Sequence, residues 1–242
     1  MYKLIINKKW NIQTANTDET EFLSEVRILN KCNDGLTMIK HHQKTVSEVG
    51  YKDIVPTSDS SKIKQRNADK LFNSLGIDSQ KKLIAISPFS RETSKTYPSD
   101  KIEKIIAPFA NDNQYQVLVF GGGPKEERQA EIWVEKYPSI ISLINKVSFK
   151  DETTILAKCQ ASLSMDSANL HLSALLNTPV ISIWGGTSPQ NGYYPPNVNP
   201  DYAIVKGLDC QPCSIFGNKP CTNKKQYDCL DIAPETIIQK II

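Results

Sequence analysis

The chain holds 242 residues, 39% hydrophobic and 23% charged, a composition that builds an ordinary globular core and excludes collagen-like, disordered and low-complexity classes. At about 150 residues per domain the length exceeds one domain and falls short of two, and a net charge of +3 from 29 basic and 26 acidic residues is too small to imply a nucleic-acid or anionic-lipid partner. No apolar run reaches the roughly 18 residues of a membrane span, and Met1 to Ile6 is too short to serve as a signal-peptide core, so the sequence reads as cytoplasmic.

In chain order, the first eighty residues predict one opening strand, Tyr2 to Ile6, and helical stretches at Glu19 to Leu29 and Ser60 to Leu75, with a linker at Asp53 to Ser61. From about Lys81 onward the rhythm changes. Short Ile/Val-rich runs at Lys82 to Ser87, Gln116 to Phe120, Ile140 to Leu143, Ala161 to Met165, Pro179 to Trp184 and Tyr202 to Val205 predict strands. Between them, three- and four-residue periodicity predicts helices at Ser99 to Ala110, Pro124 to Lys136, Asp151 to Ala157 and Ser167 to Leu176, and Pro234 to Ile242 reads as a final amphipathic helix. Strands apolar on both faces and alternating with helices predict an α/β fold, a doubly wound parallel sheet. Such sheets bind ligands beyond the carboxyl ends of their strands, so the loops after Ser87, Phe120, Met165 and Trp184 carry the candidate chemistry.

The loop after Ser87 contains Ser90, Arg91 and Lys95. The two cations can neutralise a diphosphate and Ser90 can hydrogen-bond it, although cations in loops are commonly just solvated. After Phe120, the glycines Gly121, Gly122 and Gly123 let backbone approach a ligand closely, without forming a dinucleotide fingerprint or a P-loop. Glu126 or Glu127, just inside the next helix, can accept hydrogen bonds from a ribose diol or simply complement the helix dipole. The most informative stretch is Asp166-Ser167-Ala168-Asn169-Leu170-His171. A helix starting there offers its first-turn amides to an anion, with Asp166 or Ser167 as the cap and His171 one turn along; the plainer alternative is that Asp166 merely caps and His171 packs. Gly185, Gly186 and Thr187 form a fourth turn at the same sheet edge. Near the end, Cys210, Cys213, Cys221 and Cys229 crowd together. They are candidates for a tetrahedral structural zinc site, but only the first spacing is a familiar knuckle, leaving buried thiols or disulfides as alternatives.

Asp166-Ser167-Ala168-Asn169-Leu170-His171-Leu172, Asn177-Thr178-Pro179 leading to Gly185-Gly186-Thr187, and the pattern Cys210-x2-Cys213-x7-Cys221 with Cys229 together resemble glycosyltransferase family 9, the ADP-heptose:lipopolysaccharide heptosyltransferases, in a branch like that of Bacteroidetes-type bacteria. The resemblance covers Leu83 to Ile242. It implies a GT-B fold, two Rossmann-like domains facing a cleft, in which the C-terminal domain binds an ADP-sugar donor and transfer needs no metal. On this basis residues 1–78 are a remnant of the acceptor-side N-terminal domain with its linker, and residues 79–242 the nucleotide-sugar-binding Rossmann-like domain with a Cys-rich terminal segment. The N-terminal portion is read as incomplete, and the catalytic base is expected in the missing N-terminal domain.

The resemblance further implies that Asp166 contacts the donor sugar and that Ser167 and Ala168 meet the diphosphate, Ala168 standing where the motif usually has glycine. It makes Lys95 the phosphate lysine, Ser90 its hydroxyl neighbour and Glu126 the ribose acid, with His171 in the motif's histidine position. Arg91, Gly121, Gly122, Gly186 and Thr187 complete the expected donor site. The implied partners are an ADP-sugar and a lipopolysaccharide core or lipid A acceptor, met at the inner face of the cytoplasmic membrane through peripheral contact. Two other functions fit the sequence, a non-catalytic nucleotide-sugar-binding remnant and a cysteine-stapled interaction module.

Overall fold

The structure, a computed structural model, describes residues 68–242. The elements expected at Tyr2–Ile6 and Glu19–Leu29, the linker at Asp53–Ser61 and the first part of the Ser60–Leu75 helix lie outside these residues; the remainder of that helix is α1, Ala68–Leu75. Then follow β1 Lys82–Ser87, α2 Ser99–Ala110, β2 Tyr115–Val119, α3 Pro124–Lys136, β3 Ile141–Ser142, α4 Phe149–Leu156, β4 Ala161–Met165, α5 Ala168–Leu175, β5 Val180–Trp184, β6 Ala203–Val205 and α6 Pro234–Ile241. All six strands are parallel, in the order β3-β2-β1-β4-β5-β6. This is the α/β, doubly wound, Rossmann-like sheet expected from the alternation of apolar runs and amphipathic segments.

β1 shows why its sequence is apolar throughout. Leu83 and Ala85 point to one face, where Phe72, Ile155, Leu156 and Leu172 from α1, α4 and α5 cover them. Ile84 and Ile86 point to the other, against Ile102, Ile105, Ile106, Trp133 and Ile237 from α2, α3 and α6. With both faces covered, a strand has no solvent side to make polar, and each Ile or Leu so buried contributes about 1.5–3 kcal/mol. In β4, the buried Ser162 and Ser164 take the face toward α5, where Ser173 Oγ donates to Ser162 Oγ at 3.1 Å; these small residues let the helix lie close to the sheet.

Several boundaries differ from expectation for local reasons. The strand expected over Ile140 to Leu143 pairs only through Ile141 and Ser142, because it is an edge strand with β2 as its single neighbour. The helix expected from Asp151 begins at Phe149, since Ser148 is its N-cap and accepts the Asp151 N–H. Among the described residues no helix is long and apolar enough to cross a membrane.

Candidate functional site

Strand order reverses between β1 and β4, so the connections leaving their carboxyl ends diverge and open a crevice between them. The loop after β1 doubles back through a short 3-10 turn, Thr93–Lys95. There the Lys95 ammonium lies 3.0 Å from Asp166 Oδ2, the first residue beyond β4. Thr187, from the loop after β5, donates its hydroxyl to the same oxygen at 2.7 Å. Asp166 is 6% exposed and Thr187 fully buried, and the Lys95 side chain retains 16% exposure. Enclosure this complete is tolerated for a carboxylate because it is paired and hydrogen-bonded. Three loops, each following a different strand, thus meet at one carboxylate.

Ser167 occupies the N-cap position of α5 with extended backbone, but its side chain caps no amide; its hydroxyl lies 3.2 Å from Ser164 Oγ. Asp166 does not cap either, being engaged by Lys95 and Thr187, which corrects the expectation that one of the two would. The first-turn amides of α5 therefore meet no side-chain cap beside the exposed Ala168, the condition under which a helix start receives an anion. Asn169 donates to Ser87 Oγ at 2.9 Å, tying this turn to the end of β1. His171 is half-buried one turn along.

At the glycine turn after β2, Glu126 Oε2 accepts the Gly122 N–H at 2.8 Å, and a Cβ on Gly121 would come within 2.7 Å of that same oxygen. Glu127 accepts from Asn145 Nδ2, whose Oδ1 in turn accepts the Gly123 N–H. Both acids thus hold the turn itself, and Gly122 is exposed. The Ser90 carbonyl accepts from Thr96 Oγ1. Arg91 is not drawn into the crevice: its side chain is 95% exposed beside Glu92.

Gly186 is buried and uses its backbone internally, donating to the Ser94 carbonyl and accepting from the amides of Cys213 and Ser214. A Cβ on Gly185 would stand 2.0 Å from that Ser94 carbonyl. These glycines admit the Thr93–Lys95 turn rather than supply loose backbone. Burial, reinforced by the neighbouring thiols of Cys213, Cys221 and Cys210, pushes the Cys229 thiol up to about 11. Burial and then Cys210 also raise Cys213. The four sulfurs are neighbours, yet among the described residues no group of three or more Cys, His, Asp or Glu is arranged to hold a metal ion.

Ser94, Asn145, Gln211 and Gly217 were not among the expected site residues. Ser94 Oγ donates to the Gly217 carbonyl at 2.6 Å, and Gln211 Nε2 donates to the carbonyls of Trp184 and Gly185. Ser94 stands beside a candidate lysine and Gly217 just past a Cys-x-x-Cys pair, but neither neighbourhood announces a contact.

Among known proteins, the model of glycosyltransferase family 9 (heptosyltransferase) matches residues 26–226. The chain is 25% identical over 177 residues to lipooligosaccharide heptosyltransferase 2 of Campylobacter jejuni subsp. jejuni serotype O:6, covering 71% of this chain and 54% of that protein. It is 26% identical over 107 residues to lipopolysaccharide heptosyltransferase 3 of Escherichia coli, covering 43% and 31%. The chain spans about half the length of the Campylobacter jejuni heptosyltransferases it matches. Among solved structures, a glycosyl transferase family 9 protein from Veillonella parvula superposes with TM-score 0.61 at 18% identity, covering 84% of this chain and 58% of that one. E. coli heptosyltransferase WaaC with ADP-2-deoxy-2-fluoro heptose superposes with TM-score 0.55 at 20% identity, covering 84% and 54%.

Proposed function

The chain belongs to glycosyltransferase family 9, the heptosyltransferase family, and on that premise we propose that it supplies the donor-binding half of an enzyme transferring a sugar from an ADP-sugar to a lipopolysaccharide core acceptor. The observation that carries this reading is the placement of Lys95 against Asp166 beside the uncapped start of α5, at the switch point where such sheets take nucleotides. The names of its relatives support heptose as the sugar.

In this reading the acceptor hydroxyl, deprotonated by a base outside residues 68–242, attacks the anomeric carbon, and the bond to the ADP oxygen breaks. Negative charge collects on the departing diphosphate. The Lys95 ammonium and the α5 amides stabilise that charge, and because they are positioned beforehand they need not reorganise as it develops. Asp166, itself held by the Thr187 hydroxyl, keeps the ammonium in place meanwhile.

Calorimetric titration with ADP tests the reading. The wild-type chain is expected to bind, and Lys95→Ala and Asp166→Asn each to weaken binding roughly 10- to 100-fold, the equivalent of one charge-assisted hydrogen bond. Unchanged affinity in both variants, or a wild type that ignores ADP, overturns it.

A further inference from the structure

We propose that residues 211–217 of the Cys-rich segment are a buttress for the donor lysine, and that Gly217 and Ser94 are positioning residues that fix Lys95 against Asp166. The segment is fastened to the loop after β5 through Gln211 Nε2 on the carbonyls of Trp184 and Gly185. The amides of Cys213 and Ser214 add two more bonds, to the Gly186 carbonyl. Ser214 Oγ then accepts the Gly217 N–H at 2.7 Å and closes the turn. From there Gly217 reaches the loop after β1, its carbonyl accepting from Ser94 Oγ at 2.6 Å. The Ser94 carbonyl accepts the Gly186 N–H at 2.7 Å and completes a closed joint of three loops.

The lysine stem lies on the bare α-carbon of Gly217. A Cβ there would approach Lys95 Cδ to 2.6 Å, Lys95 Cγ to 2.8 Å and Ser94 Oγ to 3.0 Å. Gly217 also has φ +76°, a conformation that other residues adopt at a cost. Both its missing side chain and its backbone angle are therefore used by the joint. A free lysine side chain loses rotamer entropy on ordering; a stem already laid along Gly217 meets that cost at folding, before any ligand arrives. Neither Gly217 nor Ser94 needs to touch the donor to set its affinity.

The consequence for ligand binding rests on the reading of the site given above, whereas the positioning of Lys95 is measured without any ligand. In the full chain, the rate at which an amine-acylating reagent labels Lys95, followed by peptide mass spectrometry, is expected to rise several-fold in Gly217→Ala and in the milder Ser94→Ala, while labelling of the exposed Lys125 stays constant. In ADP titration, Gly217→Ala is expected to lose about tenfold in affinity, and to cause no further loss when Lys95 is already alanine, because the clashing stem is gone. Unchanged Lys95 labelling in both variants, or a Gly217→Ala loss that persists in the Lys95→Ala background, overturns the proposal. Raised labelling in a chain that does not bind ADP upholds the buttress and overturns the donor reading alone.

Discussion

At Asp166 a single carboxylate oxygen receives both Lys95 and Thr187, and with 6% exposure water contributes little to satisfying it. Thr187→Val keeps the shape of the side chain and removes only the hydroxyl, so the expected loss is that of a hydrogen bond to a charged group, about 1.5–3 kcal/mol. Urea unfolding should show it as a lower midpoint at an unchanged slope; a loss below about 0.5 kcal/mol would mean that Lys95 satisfies Asp166 unaided. These three residues were legible in the sequence because each lies in a loop just past a strand's carboxyl end, where chemistry in such folds collects. Ser94 and Gly217 were not, because their bond joins positions 123 apart and a serine or glycine in a loop carries no local sign of its partner. Glu126 was legible as a first-turn acid, but the sequence does not distinguish a carboxylate reserved for a ribose from one that accepts the Gly122 amide four residues back.

Among the elements, α2 and α6 pack together and are joined by polar links at their N-terminal ends. Tyr97 Oη donates to the Ile232 carbonyl at 2.6 Å, and Lys101 lies 2.5 Å from Asp231, just ahead of α6. Hydrogen bonds from Lys101 and then Lys225 hold the Asp231 carboxyl well below the usual carboxylate range. A carboxylate lowered in the folded state lends stability that is complete above its unfolded value of about 3.9 and disappears as pH falls from there toward the folded value. The unfolding midpoint of Asp231→Asn should therefore lie below that of wild type by a constant amount from pH 7 to about pH 4, and the gap should close on further acidification. Since Asp231 is half-exposed, salt should shrink the gap as well; a gap that persisted undiminished to pH 2 would assign the effect to packing. The strands and long helices could be read from the sequence because burial on both faces leaves uninterrupted apolar runs bounded by turns. The segment 206–230 could not, since apart from one short 3-10 turn it is held by scattered hydrogen bonds and lysine–aspartate pairs without a repeating pattern.

For the whole molecule, the placement of the site follows from where the sheet is most rigid. β1 and β4 are central, each paired on both sides and enclosed by helices on both faces, whereas β3 and β6 are edges of two and three residues. Asp166 leaves the end of β4, Asn169 is tied to the last residue of β1, and Lys95 is returned to them by a turn anchored on the loop after β5. A site that must stabilise charge without reorganising gains from attachment to the elements that open last. Native-state hydrogen exchange makes this measurable. The amides of Ile84, Ile86, Leu163 and Met165 should exchange together, at the slowest rates and with the denaturant dependence of global unfolding. Those of Ser142 and Val205 should exchange faster and with little denaturant dependence, by local fraying. If instead the centre of β1 or β4 opened as readily as the edges, the crevice would lack a rigid floor, and the hold of Asp166 on Lys95 would have to come from the loops alone.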